Sequence, residues 1–231
     1  MKKVGYLLVL LTGLFYGCTE TEEINDQTTG KIYYPIAVGD YRIYNVTAVR
    51  YQADSVSDSS VFQLRERVDT LYSNLAGEPT YKIIRSRRNT ANETWLDDSV
   101  ITITVSNNQV RQHNNNLDLV KLVFPVKENK TWDPNAFNTL EPGSAFYQNV
   151  GQPFSIDGQN FDRTTTVSVN NFESVINKDV RKEVYAENIG LVYKNYEIID
   201  FCNISDCDFD FNYILRGQRR IEVLDSYGKI E

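Results

Sequence analysis

The chain has one histidine, His113, in 231 residues, so any histidine relay, Ser-His-Asp triad or His-rich zinc site would have to run through that residue alone. His113 stands in Gln-His-Asn-Asn-Asn, the setting of a solvated turn. There is no G-x-S-x-G elbow, H-E-x-x-H pair, P-loop or G-x-G-x-x-G, so the sequence predicts no cofactor and no His-dependent catalysis. Basic runs are equally scarce. Acidic residues outnumber Lys and Arg 31 to 24, for a formal charge of −7, which argues against nucleic acid and against a basic patch for anionic lipid. The local exception is Arg85, Arg87 and Arg88, and a solvated strand face accounts for it.

Only three cysteines occur, and the first sits at the end of the chain's one long apolar run. Lys2 and Lys3 precede residues 4–15, which are almost wholly apolar, and Gly17 comes before Cys18. A basic start, a short apolar stretch and a small residue form a secretory signal, and the run is far short of the roughly 20 residues that span a bilayer. Gly17-Cys18 resembles the lipobox of bacterial lipoproteins, in which the cysteine is acylated and becomes the new N-terminus. Phe15 and Tyr16 depart from the usual Leu and small residue. The expectation is therefore a signal peptide over 1–17, lipidation at Cys18 and membrane attachment through lipid. Cys202 and Cys207 remain, and an exported compartment permits them to pair.

Residues 18–30 are polar, with Glu20, Glu22 and Glu23 after the cysteine, and read as an acidic flexible tether. The acids resemble the export tag of surface-displayed Bacteroidota lipoproteins, so the expected location is the outer membrane, periplasmic or surface-exposed. Residues 31–231 form one β-rich domain. In 61–72, Phe62, Leu64, Val68 and Tyr72 share a face opposite Gln63, Arg65, Arg67 and Asp69, with Glu66 and Thr70 interrupting the apolar side so that one end is wet. Similar stretches predict strands at 41–52, 80–88, 98–106, 109–113, 117–126, 163–172, 180–187 and 190–199, and a terminal hairpin turning at Gly217. Residues 133–162, with three prolines and three glycines, read as a long irregular excursion and a candidate contact region, and 171–179 as a short helix. The predicted class is all-β, mainly antiparallel, an open half-barrel or sandwich with little helix.

Phe124-Pro125-Val126 can be laid over Tyr34-Pro35-Ile36, with Asn129 on Gly39. A two-module duplication would produce this, but shared turn chemistry at two strand entries is the favoured reading. These stretches, with Tyr185-Ala186-Glu187-Asn188-Ile189-Gly190-Leu191-Val192-Tyr193-Lys194, resemble a group of uncharacterised Bacteroidota lipoproteins. The resemblance implies an exported β-rich protein with no assigned activity, built like the open half-barrels of lipoprotein carriers.

Among candidate sites, Asp206, Asp208 and Asp210 alternate with Cys207, Phe209 and Phe211, which in a strand puts the oxygens on one face as a weak Ca²⁺ candidate. Same-side strand residues lie about 7 Å apart, and an EF-hand register fails at Phe211 and Gly217, so a solvated edge is favoured and no metal is expected. Asp97, Asp98, Glu183 and Glu187 are candidates for a carboxylate pair, though with 31 acids some pairing is inevitable. Fifteen Tyr, 11 Phe and two Trp fill a β core and could also stack on sugars or anchor a protein partner. The function expected is a lipid-anchored, exported binding or structural protein without catalysis, its partner a glycan, lipid or protein. The alternatives are a half-barrel carrier of lipid or another apolar ligand, and a carboxylate-dependent carbohydrate-active enzyme.

Overall fold

A computed structural model describes residues 26–230 apart from 208, 209 and 211. The signal, Cys18, the first part of the tether and Asp208 lie outside the described residues. A helical turn, α1 (Asp26–Thr29), and a 3-10 turn (Lys31–Tyr33) precede twelve strands. These are β1 (Asp40–Gln52), β2 (Ser55–Ser73), β3 (Pro79–Arg88), β4 (Leu96–Val105), β5 (Gln109–Asn114) and β6 (Leu117–Val123), then β7 (Thr131–Trp132), β8 (Ala145–Ile156), β9 (Gln159–Glu173), β10 (Asn177–Ala186), β11 (Gly190–Phe201) and β12 (Ile214–Lys229). All belong to one antiparallel sheet, in the order β6-β5-β4-β3-β2-β1-β12-β11-β10-β9-β8-β7. The sheet rolls into a nearly closed barrel, not a two-layer sandwich.

Tight hairpins set the register. Asn115-Asn116 between β5 and β6, and Asp157-Gly158 between β8 and β9, have positive φ at both central residues, as a two-residue turn matching strand twist requires. β1 and β12 pair along their whole length, from Asp40 opposite Lys229 to Gln52 opposite Arg216. β6 and β7 share no ladder among the described residues. Side chains close that seam. The Tyr147 hydroxyl donates to the Val123 carbonyl and accepts from the Val123 N–H, each at 2.9 Å, and the Trp132 indole N–H donates to the Val120 carbonyl at 3.1 Å. The Val120 N–H in turn reaches the Pro134 carbonyl at 2.9 Å.

Two apolar clusters fill the barrel, one around Tyr33, Val68, Ile83, Ile103, Leu122 and Tyr147, the other around Tyr44, Val46, Leu64, Val184 and Leu224. The end of the stretch expected as tether meets the barrel: the Thr29 carbonyl accepts from the Val126 N–H at 3.0 Å and Gly30 is buried, while residues 26–28 are exposed. The two Pro-containing stretches share one geometry. Gly39 and Asn129 both have positive φ, their N–H groups reach the Val68 and Tyr147 carbonyls, and the next residue closes a turn onto Ala37 or Lys127 at 3.1 Å. Each stretch opens a run of six strands.

Four expectations are corrected. The excursion 133–162 contains β8 and the start of β9. Its alternation is hidden by a bulge between Gln148 and Gln152, where Asn149 and Gly151 take positive φ, and Pro153 is tolerated because β8 beyond its first two residues has only β9 as a partner. Residues 171–179 are the β9–β10 hairpin, with Ser174 and Asn177 bonded across its tip. Gly217 lies inside β12, opposite both Tyr51 and Ile199, where a Cβ would come within 3.0 Å of the Ile198 carbonyl oxygen, so close packing and not a turn explains the glycine. Of residues 202–213, the described ones form a 3-10 turn at Ser205–Cys207 and no strand, so the alternating-strand expectation fails for Asp206 and Asp210.

Candidate functional site

Strand alternation brings an unusual set of side chains inside. On β2, Phe62, Leu64 and Val68 are buried as the alternation requires, and Glu66, which shares their face, points inward with them. On β3, Ile83, Arg85 and Arg87 follow at period two and line the lumen, while Arg88 turns outward over Trp95. The solvated-face reading of the arginine run is thus corrected for Arg85 and Arg87. β10, β11 and β12 add Glu183, Lys194 and Glu222, and β6 adds Lys121.

These groups line two adjoining chambers. An inner cavity of about 220 Å³ is walled by ion pairs and tyrosines. An outer chamber of about 450 Å³ lies beside it, and Arg85, Asn114, Lys194 and Glu222 line both. In the inner cavity every acid has a cation. The Arg85 Nε and Nη2 both donate to Glu66 Oε1, at 2.8 and 2.6 Å. Lys121 pairs with Glu183, whose other oxygen accepts from the Tyr185 hydroxyl at 2.5 Å, and the Tyr196 hydroxyl also donates to Glu183. Arg42 binds backbone instead, its Nε reaching the Ile189 carbonyl at 2.6 Å and its Nη2 the Pro35 carbonyl at 2.7 Å.

Electrostatics follow from this pairing. Burial alone would raise the Glu222 carboxyl, only 4% exposed, but Lys194, Arg220 and Arg85 outweigh it and hold the group down at about 2. Burial likewise opposes ionisation of Glu183, yet Lys121 and Lys194 keep it below the ordinary carboxyl range. Burial and the neighbouring Glu183 push the Tyr185 and Tyr196 phenols upward, so both stay protonated donors. At Arg85 burial favours deprotonation and Glu66 reverses it.

The sequence candidates are scattered by comparison. Glu183 faces the inner cavity and Asp98 the outer one, Asp97 accepts from the Ser86 hydroxyl at 2.8 Å, and Glu187 pairs with Arg163 at 2.8 Å, so they form no facing pair. His113 is exposed near the end of β5, opposite Asp118, rather than in a turn. Cys202 and Cys207 are disulfide-bonded, their Cα atoms 6.1 Å apart. Asp206 lies within the loop that this bond closes and Asp210 just beyond it, and no group of three or more His, Cys, Asp or Glu suited to a metal occurs among the described residues. Sequence reasoning misses the lumenal cations Arg42, Lys121, Lys194 and Arg220 and the acid Glu222. For some of them the signal is parity with buried neighbours: Lys194 follows Val192 by two residues, and Glu222 precedes Leu224 by two; Lys121 carries no such signal, because its buried neighbours Val120 and Leu122 stand next to it.

No family model matches the chain, and no curated protein matches it. Among solved structures it is similar to a chain described as a "putative lipoprotein" from Parabacteroides distasonis, at 13% identity and a TM-score of 0.38, over 85% of this chain and 98% of that one.

Proposed function

We propose that the protein is a lipid-anchored, exported binding protein that performs no catalysis and takes its ligand inside the barrel. The observation that carries this reading is the pair of adjoining chambers lined by charged and tyrosine side chains, a volume in the range of small-molecule sites. Two properties favour a polar ligand over the alternatives. An apolar guest would strip water from Arg87, which has no acid partner among the described residues, and from Lys194 and Arg220, which share the single carboxylate of Glu222; desolvating an unpaired charge costs several kcal/mol, which disfavours a lipid carrier. A carboxylate-dependent glycosidase needs one carboxyl kept protonated as general acid, whereas Glu183 and Glu222 are both held ionised by neighbouring cations.

The anchor rests on Gly17-Cys18 and the apolar run before it. Acylation there would attach the domain to the outer membrane on the tether after Cys18, with a glycan, another polar small molecule or a protein as its partner. Mass spectrometry of the full-length protein, purified in detergent from its host, tests both parts. The expected result is an acylated Cys18 with a polar small molecule bound in stoichiometric amount. An unmodified N-terminus overturns the anchor, and a bound fatty acid or phospholipid replaces the polar-ligand reading with that of a carrier.

A further inference from the structure

We propose that the outer chamber is a receptor for a small anionic ligand bearing carboxylate or phosphate oxygens, with Arg87 as its primary contact. This deepens the binding reading above and rests on it.

Four cationic side chains, Arg85, Arg87, Lys194 and Arg220, line the outer chamber against two acids, Asp98 and Glu222. The whole chain carries −7, so this excess of positive charge runs against its surroundings. Arg85 is already committed to Glu66 through two N–H groups. Glu222 is shared, Arg220 Nε lying 2.6 Å and Lys194 Nζ 3.3 Å from the same Oε1, so one carboxylate answers two cations. Arg87 is the uncommitted member. It makes no ion pair and no side-chain hydrogen bond among the described residues, and its guanidinium carbon lies 3.9 Å from the centroid of the Phe62 ring.

Resting on that ring fixes the plane of the guanidinium while leaving its N–H donors unused, and a planar fork with free donors is the geometry that grips a carboxylate or phosphate with two parallel bonds. Arg220 also lies toward the Phe62 ring, at 5.5 Å, so the two guanidinium groups share one aromatic neighbour at the chamber wall. The Arg220 side chain is 37% exposed, which leaves this end open to solvent, while Asn114, Asn115 and Ser99 supply neutral polar groups around it. The opposing charge, Asp98, is exposed, and among the described residues it is bonded only to the Ser99 hydroxyl. An entering oxyanion would neutralise Arg87 and the unanswered half of the Lys194–Arg220 pair. It would do so beside the inner cavity, where Glu66 and Glu183 have cations of their own and offer an anion no vacant site.

Isothermal titration of the full-length protein in detergent with pyrophosphate, digalacturonate and neutral digalactose tests this. The expected result is that one of the two anions binds, that digalactose does not, and that added salt weakens the binding. Pyrophosphate alone would identify a phosphate ligand and digalacturonate alone an acidic sugar. Arg87→Ala removes the fork without orphaning an acid and is expected to weaken binding by about tenfold to a hundredfold, with an unchanged melting temperature. Arg87→Lys keeps the charge but loses the fork; it should fall between the two and serves in place of the alanine variant if that one does not fold. Equal anion affinity in wild type and both variants overturns the proposal, as does binding of neither anion. A neutral polar molecule co-purifying in the barrel would sink the anion receptor and leave the binding reading intact. An empty barrel that takes none of the three probes would sink both.

Discussion

The Glu222→Gln substitution isolates what the lumenal ion pairs contribute to stability. Glu222 is buried, and Lys194 and Arg220 hold its carboxyl at about 2 in the folded protein, against 4.5 for the ordinary group. That gap corresponds to about 3 kcal/mol of folding free energy at neutral pH. The direction follows from the lowered value. The contribution is fully present above pH 4.5, where the unfolded chain is also ionised, and drains away as pH falls from 4.5 toward 2. The substituted amide cannot ionise, so this component is missing in the variant at every pH. Chemical denaturation of both proteins, repeated from pH 7 to pH 2.5, should show wild type more stable at neutral pH and the difference shrinking as the solution is acidified. Costs unrelated to charge, such as altered packing of the amide, shift the curves by a constant. The pH-dependent part is therefore the diagnostic. A stability difference that stays constant across the range would refute the account of Glu222 as an ionised group held by two cations.

Two further outcomes follow from single contacts. Tyr147→Phe removes the hydroxyl that both accepts from the Val123 N–H and donates to its carbonyl, leaving two backbone groups of the β6 seam unpaired, and should cost about 2 kcal/mol. Amide exchange at Val123 should speed up ahead of the β1–β12 amides; unchanged protection there would contradict the closing role given to Tyr147. Gly190→Ala forces a side chain onto φ +95° and sets its Cβ 2.9 Å from Arg42 Nη2, which cannot swing away without leaving the Pro35 carbonyl. A loss of at least about 2 kcal/mol in denaturant titration is expected, and a neutral substitution would show that Arg42 does not pin this end of the barrel.

The sheet was more legible in the sequence than the lumen was. Period-two runs such as Phe62-x-Leu64 and Gly-, Asn- or Asp-containing turns located most strands, because half-buried antiparallel strands announce both their faces and their ends. β8 escaped because a bulge with two positive-φ residues breaks its alternation and Pro153 argues against any strand that is not an edge. β12 looked like a hairpin because Gly217, needed there for close approach to Ile198, also marks turns. Glu66 shows why the interior was harder. An acid on an apolar face reads equally as a strand end in water or as a lining residue, and only Arg85 on the neighbouring strand decides between them. That pairing depends on the β2–β3 register, in which Glu66 stands opposite Arg85, and a single strand does not encode its partner's register.

β12, which follows the other eleven strands in chain order, is not at an edge of the sheet but between β1 and β11, where it joins the six strands β1–β6 to the five strands β7–β11. Synthesis from the N-terminus therefore produces two open ribbons, and the piece that unites them arrives only with residues 214–229. Until then β1 and β11 each present a free edge, and neither ribbon can enclose the charged lumen, whose Glu222 is itself on the missing strand. Closure is thus a late, long-range event, slow in the sense that high contact order makes folding slow. A nascent chain lacking its final strand has no premature barrel to trap it, and trimming the C-terminus would take away the staple between the two halves, not an overhang.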